Sequence, residues 1–149
     1  MLILGVFLIL IDQEDKSLED VWSGFDIKIK EYLECQIRGA YQDRLRFFDC
    51  QHGDKSFNLI ITINGISRYA NYVKHTIEDH LIEMAKDVLG QDRVMNVLRE
   101  SSNDPKIAWF KLSKREQLEV YKKMLNESID SLRRYFEQHI KSIELLEEI

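Results

Sequence analysis

The stretch LILGVFLILI at residues 2–11 limits what this chain can fold into more than any other feature. It carries no charge, and apolar side chains are stabilised by removal from water. A helix needs about 20 apolar residues to cross a bilayer, so this run is too short to span a membrane. No basic residue precedes it and no small-residue cleavage site follows it, so it is not predicted to be a signal peptide. The predicted structure is a strand buried on both faces.

The first half of the chain is predicted to contain a long helix and a second strand. Apolar side chains recur every three or four positions over Leu18–Phe48, which predicts a helix opened by Ser17. Residues 25–30 also alternate as a strand would, so helix and strand both stay open there. Residues 49–54 have the composition of a loop, and residues 56–63 form the clearest strand pattern in the chain.

The second half is predicted to be mainly helical. Helices are expected over residues 67–89 and 91–101, followed by a possible third strand at 106–112. Ser113 and Glu116 have the spacing of a capping box, and from there a helix can reach Ile149. The whole chain, residues 1–149, is therefore predicted to be one α+β domain with about three strands and four helices, including a long C-terminal helix.

The net charge and the cysteine content limit which cell compartment and which kinds of partner are expected. The net charge is −5, and residues 1–56 hold 7 basic and 11 acidic residues, a balance of −4. Such a protein is not expected to bind nucleic acid over its whole surface, although a local patch is possible. Two cysteines are too few for a disulfide scaffold or a four-thiolate zinc site, which favours a reduced cytoplasmic setting. No metal, cofactor, membrane partner or small-molecule substrate is inferred.

The segment RRYFEQH at residues 133–139 suggests one hypothesis for a catalytic site. The spacing from Arg133 or Arg134 to His139 resembles the short motif of the HEPN ribonucleases, which are all-helical. The resemblance implies an RNA-cutting site shared across a dimer, because residues five apart on one helix diverge by about 140°. It covers seven residues, and three of the four histidines in the chain have an arginine at such a spacing. The strands expected elsewhere also depart from an all-helical fold.

A second catalytic reading concerns the predicted loop at 49–54. Cys50 and His52 lie two positions apart there, and a nearby cation can lower the pKa of a nucleophilic thiol. The alternative is an ordinary polar turn, because side chains two positions apart seldom face each other.

The segment KIAWFKLSKR offers a nucleic-acid-binding reading. It is rich in cations and aromatic side chains and has no acid, a combination that suits single-stranded nucleic acid. The alternative is a buried tryptophan among solvated cations. The residues concerned are Lys106, Trp109, Lys111, Lys114 and Arg115.

The pattern at the C-terminal end of the chain indicates a surface for contact with a partner. The predicted C-terminal helix has an apolar stripe, and Glu144, Glu147 and Glu148 lie at its negative end, where acids are unfavourable. A basic partner would relieve that charge. The preferred expectation is thus a small acidic cytoplasmic protein that binds another protein or itself through this helix. Antitoxins and nuclease immunity proteins are similar to it in size and charge only.

Overall fold

The computed structural model describes residues 2–149, and for residues 2–4 it describes the backbone alone. Within that range the chain forms four strands and seven helices. The strands are β1 (Leu2–Asp12), β2 (Glu34–Tyr41), β3 (Leu45–His52) and β4 (Lys55–Asn64). The helices are α1 (Leu18–Tyr32), α2 (Glu78–Leu89), α3 (Gln91–Glu100), α4 (Pro105–Lys111), α5 (Lys114–Asn126), α6 (Ile129–Leu132) and α7 (Glu137–Glu147). The predicted α+β class is confirmed, whereas the predicted numbers of strands and helices are wrong.

The strands form one mixed sheet in the order β1-β4-β3-β2. β2, β3 and β4 are antiparallel neighbours, and β1 runs parallel to β4, from Leu2 opposite Lys55 to Asp12 opposite Asn64. Parallel strands need a long crossover connection, which here contains α1, β2 and β3. β1 and β2 are therefore the two edges of the sheet, and the ends of β1 and β4 lie side by side.

A helix covers each face of the central strands. On one face, Trp22 and Ile29 of α1 pack with Ile61 of β4. On the opposite face, Leu145 of α7 packs against Ile60 of β4. β4 is therefore buried on both sides, and the strand predicted at this position is confirmed. Tryptophan and isoleucine at these positions bury large apolar areas, which is the main contribution to holding the layers together.

A third apolar core lies among helices α2 to α5. Its buried side chains come from all four helices and include Ile82, Met84, Val94, Leu98, Trp109 and Val120. The predicted capping box at Ser113 and Glu116 is confirmed, and it opens α5. We call this group the helical core, and it is built separately from the two cores that cover the sheet.

The helix predicted over residues 18–48 is wrong beyond Tyr32, where α1 ends. Residues 25–30 belong to α1, which resolves the choice between helix and strand. The following residues form β2 and β3, and most of the predicted loop at 49–54 is the end of β3. Pairing of β3 with β4 supplies a full ladder of backbone hydrogen bonds, and such distant pairing outweighs local spacing.

The strand predicted at 106–112 is wrong, because α4 occupies this region. Asp104 precedes the helix and its carboxylate accepts hydrogen bonds from the backbone N–H groups of Lys106 and Ile107. Pro105 stands at the first helical position, where its fixed φ suits a helix. An acid followed by proline is thus a helix start here rather than a simple break in the chain.

The helix predicted over residues 67–89 begins only at Glu78. The preceding loop is held against the end of β1, since Glu14 and His75 exchange two backbone hydrogen bonds of 2.9 Å. This bridge keeps the segment extended and fixes the loop beside the sheet.

The single C-terminal helix predicted over residues 113–149 is wrong and is replaced by α5, α6 and α7. Glu127 is extended, with ψ 151°, and so ends α5. Ser128 then opens α6 by accepting a hydrogen bond from the N–H of Ser131. Phe136, with φ −128°, starts α7, which turns back onto the sheet.

Candidate functional site: an exposed edge strand and a polar junction

β1 is much more exposed than its composition predicts. The exposed fractions are 57% for Phe7, 38% for Leu8, 36% for Ile9 and 52% for Leu10. The expectation that residues 2–11 are buried on both faces is therefore wrong for residues 5–11, and the side chains of residues 2–4 lie outside the described part of the chain. The covering helices pack mainly on β3 and β4, so the outer strand of the sheet is left partly open to water.

From Val6 onward the edge formed by β1 lacks the usual protection of an edge strand, and an irregularity in its pairing with β4 lies before that residue, after Ile3. Natural edge strands commonly carry charges or proline, or are covered by other elements. Residues 2–11 have neither charge nor proline, and no other strand of the described chain pairs with this edge. In a parallel pair only alternate residues direct their backbone groups at the neighbour. The other N–H and C=O groups of β1 face outward, where they can pair with another strand.

Polar side chains meet where β1 and β4 end. We call this group the polar junction, and it consists of Asp12, Asn64, His80, Gln138 and His139. The side-chain amide of Asn64 donates to the Asp12 carboxylate at 2.9 Å, and Nε2 of His139 lies 2.7 Å from Oδ1 of the Asn64 side chain. Because the Asn64 oxygen can only accept, His139 donates from Nε2. The carboxyl ends of parallel strands are a common position for ligand sites in α/β sheets.

Both histidines of the junction are uncharged at neutral pH. His80 accepts a 3.0 Å hydrogen bond at Nε2 from the Gly65 N–H, and its Nδ1 donates to the Tyr135 carbonyl at 2.7 Å. Burial, with help from the neighbouring His139, lowers the pKa of His80 to about 3. Burial also lowers the pKa of His139 to about 4, and its buried Nδ1 has no partner within residues 2–149. That nitrogen is a free proton acceptor in the interior.

Arg44 lies beside the junction and is only 4% exposed. Its guanidinium donates to the Ser67 hydroxyl at 2.9 Å, the backbone carbonyl of Asn64 at 3.0 Å and the Gln13 side-chain oxygen at 2.7 Å. Burial lowers the pKa of Arg44, and the nearby Asp43 partly offsets that effect. Arg44 thus ties the start of β3 to the ends of β1 and β4.

The sequence pattern did not single out Arg44, Asn64 or Gln138 as site residues. A usable signal was present, because Asp12 and Asn64 each end an apolar strand with a polar side chain. Two such ends meet only when the strands are neighbours and parallel, which the sequence pattern did not reveal.

The structure separates the residues of the predicted ribonuclease motif. Arg133 hydrogen-bonds the Glu144 carboxylate, and Arg134 lies 3.3 Å from Asp87. His139 instead points into the polar junction. Within the described chain, neither arginine forms a hydrogen bond with His139.

The predicted nucleic-acid segment is split between helix surface and helical core. Its four cations are exposed on α4 and the first turn of α5: Lys106, Lys111, Lys114 and Arg115. Trp109 is buried and packs edge-on against Tyr121, so it is not free to stack on a base. Phe110 is the exposed aromatic side chain beside these cations.

The acids at the end of the chain have different surroundings. Glu144 is bound to Arg133, whose hydrogen bond lowers the pKa of that carboxyl group. Glu147 and Glu148 are exposed at the end of α7. They lie at the end of a short helix rather than the long helix that was predicted.

The two cysteines form a disulfide across the β2–β3 pair. Cys35 and Cys50 face each other in the ladder with an S–S distance of 2.05 Å. This differs from the reduced state that the cysteine count suggested. In this state Cys50 has no thiolate, and His52 lies exposed at the end of β3.

Two further properties of the described residues bear on function. Within residues 2–149, no three His, Cys, Asp or Glu side chains are grouped so that they could hold a metal ion. In the same part of the chain, no helix has the length and apolar character needed to cross a bilayer.

Comparison of the chain with protein-family models, curated proteins and solved structures found no match.

Proposed function

We propose that this chain is a small acidic protein-binding module and that its partner adds a strand to β1. One observation supports the proposal above all: four consecutive apolar side chains on an edge strand, residues 7–10, are exposed. Added strands pair the free backbone groups of an edge, and their alternate side chains pack beside the apolar side chains of that edge. An exposed apolar edge strand otherwise promotes aggregation, so a partner that covers it is physically favoured.

Charge around β1 suggests the character of the partner strand. The end of β1, the following turn and the first turn of α1 are strongly acidic, with Asp12, Glu14, Asp15, Glu19 and Asp20. An apolar strand flanked by basic residues would match both the edge and the acids beside it. Charge complementarity of this kind mainly raises association rate and specificity.

The proposed contact surface differs from the one predicted from the sequence. An apolar stripe on one C-terminal helix cannot form, since α5, α6 and α7 are separate helices. Parts of the stripe are still exposed, with Leu118 and Leu125 on α5 and Ile129 on α6. They offer a smaller second surface, whereas β1 offers a continuous one.

An RNA-acting enzyme that uses Arg133 or Arg134 with His139 across a dimer is the alternative proposal. It has less support, because both arginines are paired with carboxylates and His139 faces inward. Nucleic-acid binding by residues 106–115 is a further alternative. It rests on the exposed cations and Phe110, and it predicts affinity that falls steeply with salt.

A double substitution on one face of β1 tests the proposed function. Leu8→Lys with Leu10→Lys places two charges on exposed positions, so the fold should survive. The unchanged protein, isolated from the cells that make it, is expected to show the mass of an assembly in native mass spectrometry. The double variant is expected to lose the partner, and the outward amides of β1 should lose their protection from hydrogen exchange.

Met95→Lys with Ile107→Lys is the matched control, because both residues are exposed apolar side chains on α3 and α4, away from the sheet. It should leave the assembly intact. The proposal is wrong if the β1 variant keeps the same mass as the unchanged protein. It is also wrong if the unchanged protein is a single chain at every concentration tested.

A further inference from the structure

A cleft of about 190 Å³ opens at the edge of the sheet where β4 ends and β3 begins. Its lining includes Arg44, Gly65, Ser67, Arg68, Arg134 and Gln138. Ordinary pockets for small molecules hold roughly 300–1,000 Å³. This cleft is smaller, and so it suits one charged group of a ligand rather than a whole drug-sized molecule.

Arg44 supplies a fixed positive charge at this cleft. Its three hydrogen bonds end on neutral acceptors, namely Ser67, Asn64 and Gln13. A guanidinium has five N–H groups, so two remain for another acceptor. Asp43 and Asp79 offset part of the cost of burying this charge without hydrogen-bonding the guanidinium, and a bound anion would offset more of it.

The absence of a side chain at Gly65 leaves room for the Arg44 guanidinium beside the backbone. A Cβ atom at this position would lie 2.6 Å from Nη1 of Arg44 and 2.6 Å from Cβ of His75. Gly65 also has a φ of +126°, which side chains rarely adopt. Glycine thus provides the space that Arg44 occupies beside the cleft.

Arg68 stands at the mouth of the cleft and is able to turn toward a ligand. It lies 3.2 Å from Glu83 and is largely exposed. Glu83 has two other partners, the Tyr69 hydroxyl at 2.6 Å and Lys86 at 3.1 Å. The carboxylate therefore stays satisfied when the arginine leaves, and exposed ion pairs contribute little stability.

Arg134 lies on the other side of the cleft, and like Arg68 it is paired with a carboxylate that has another partner. Its partner Asp87 also accepts a 2.5 Å hydrogen bond from the Tyr135 hydroxyl, so Asp87 does not depend on Arg134. α7 begins next to it, and no side chain of the described residues caps its N-terminus at Phe136. Free N–H groups at a helix start favour an anion nearby.

Two carboxylates also line the cleft, and they restrict which anions fit. Asp43 accepts a 2.7 Å hydrogen bond from the Ser67 hydroxyl, and Glu137 is exposed. Three guanidinium groups thus face two carboxylates. An anion with two charges and several oxygens gains more from paired arginines than a single-charge ion does.

We infer that the Arg44 cleft binds the phosphate group of a phosphate monoester, held by Arg44, Arg68 and Arg134. This site is independent of partner binding at β1.

Titration with two probes tests the assignment. Inorganic phosphate and glycerol phosphate are added to the full chain at constant ionic strength, with chloride as the comparison. Binding is followed by calorimetry and by the Nε–H signal of Arg44 in NMR spectra. Both phosphates should give saturable binding and shift that signal, and chloride should not.

Substitution of the two rim arginines locates the site. Arg68→Gln with Arg134→Gln should weaken phosphate binding roughly tenfold or more, since each removes a charge-assisted contact. Arg93→Gln is the control, because Arg93 is an exposed arginine that pairs with Glu116 at 2.8 Å elsewhere. It should leave binding unchanged.

Three outcomes would overturn the inference. One is the absence of saturable binding for both probes. Another is equal binding by the rim variant and the unchanged protein, which would place the anion elsewhere. Binding of inorganic phosphate without glycerol phosphate would refute the monoester assignment.

Discussion

β1 and β4 are neighbouring strands of similar composition that have opposite surroundings. In their parallel register Ile9 lies opposite Ile61, yet Ile9 is 36% exposed and Ile61 is fully buried. β4 is the second strand of the order β1-β4-β3-β2 and has a helix packed on each face, whereas β1 is the edge. Local sequence thus predicts that a segment is a strand but does not determine how far it is covered. The exposed outer strand is therefore a candidate binding surface.

The largest expected effect comes from truncation of the two paired isoleucines. Ile61→Ala removes buried methyl groups and leaves a cavity, so it should lower the free energy of unfolding by about 2–5 kcal/mol. Ile9→Ala should lower it by about 1 kcal/mol or less, because that side chain is already partly in water. Chemical denaturation of the two variants measures the difference. Equal losses would show that β1 is as well covered as β4.

The next effect concerns the two edges of the sheet. β2 is fastened to β3 by the Cys35–Cys50 disulfide, while β1 has no covalent tie. The bond closes a loop with a sequence separation of 15, for which chain entropy predicts a stabilisation of about 3 kcal/mol. Replacement of both cysteines by serine should therefore lower the free energy of unfolding by about that amount. A double variant as stable as the parent under oxidising conditions would show that the disulfide does not constrain the protein.

A smaller effect is expected where β1 and β4 are joined by the polar junction. The pKa of His139 is about 4 in the folded protein, below its usual 6.5. Between these values the unfolded chain takes up a proton that the folded chain does not, so stability falls as pH drops from 6.5 toward 4. The slope is about 1.4 kcal/mol per pH unit for this group.

His80 adds a similar slope that continues to about pH 3, where it titrates when folded. His139→Gln should remove the His139 contribution and keep most of that of His80, whose pKa stays lowered mainly by burial. Unfolding curves at pH 7 and pH 5 measure both proteins. If the variant keeps the full pH dependence, His139 is not held neutral in the fold.

Local signals predicted those parts of the fold that neighbouring residues determine. The apolar runs of β1 and β4 and the capping box at Ser113 are confirmed. β2 and β3 were missed because their hydrogen bonds come from distant strands, which helical spacing in the sequence concealed. α4 was missed because residues 106–112 were predicted as a possible strand, whereas Asp104 caps a helix there.

The candidate site was harder to predict than the fold. Asp12 was visible as an acid after a strand, but its partner Asn64 is 52 positions away. Arg44 fell inside a helix that does not exist, so nothing marked it as the fixed charge of a cleft. His139 was selected for a catalytic pattern, and its observed role is a hydrogen bond to Asn64. The parallel pairing of β1 with β4 brings Asp12 to Asn64, the pairing of β3 with β4 brings Arg44 there, and the packing of α7 on the sheet brings His139.

The crossover between β1 and β4 also has a consequence for synthesis on the ribosome. Leu2 pairs with Lys55, so β1 leaves the ribosome 53 residues before the strand that it needs. At roughly 5–20 residues per second, that is a delay of about 3–10 s. During that interval an uncharged apolar segment has no native neighbour, and its exposure to other nascent chains or chaperones is greatest before the protein has folded.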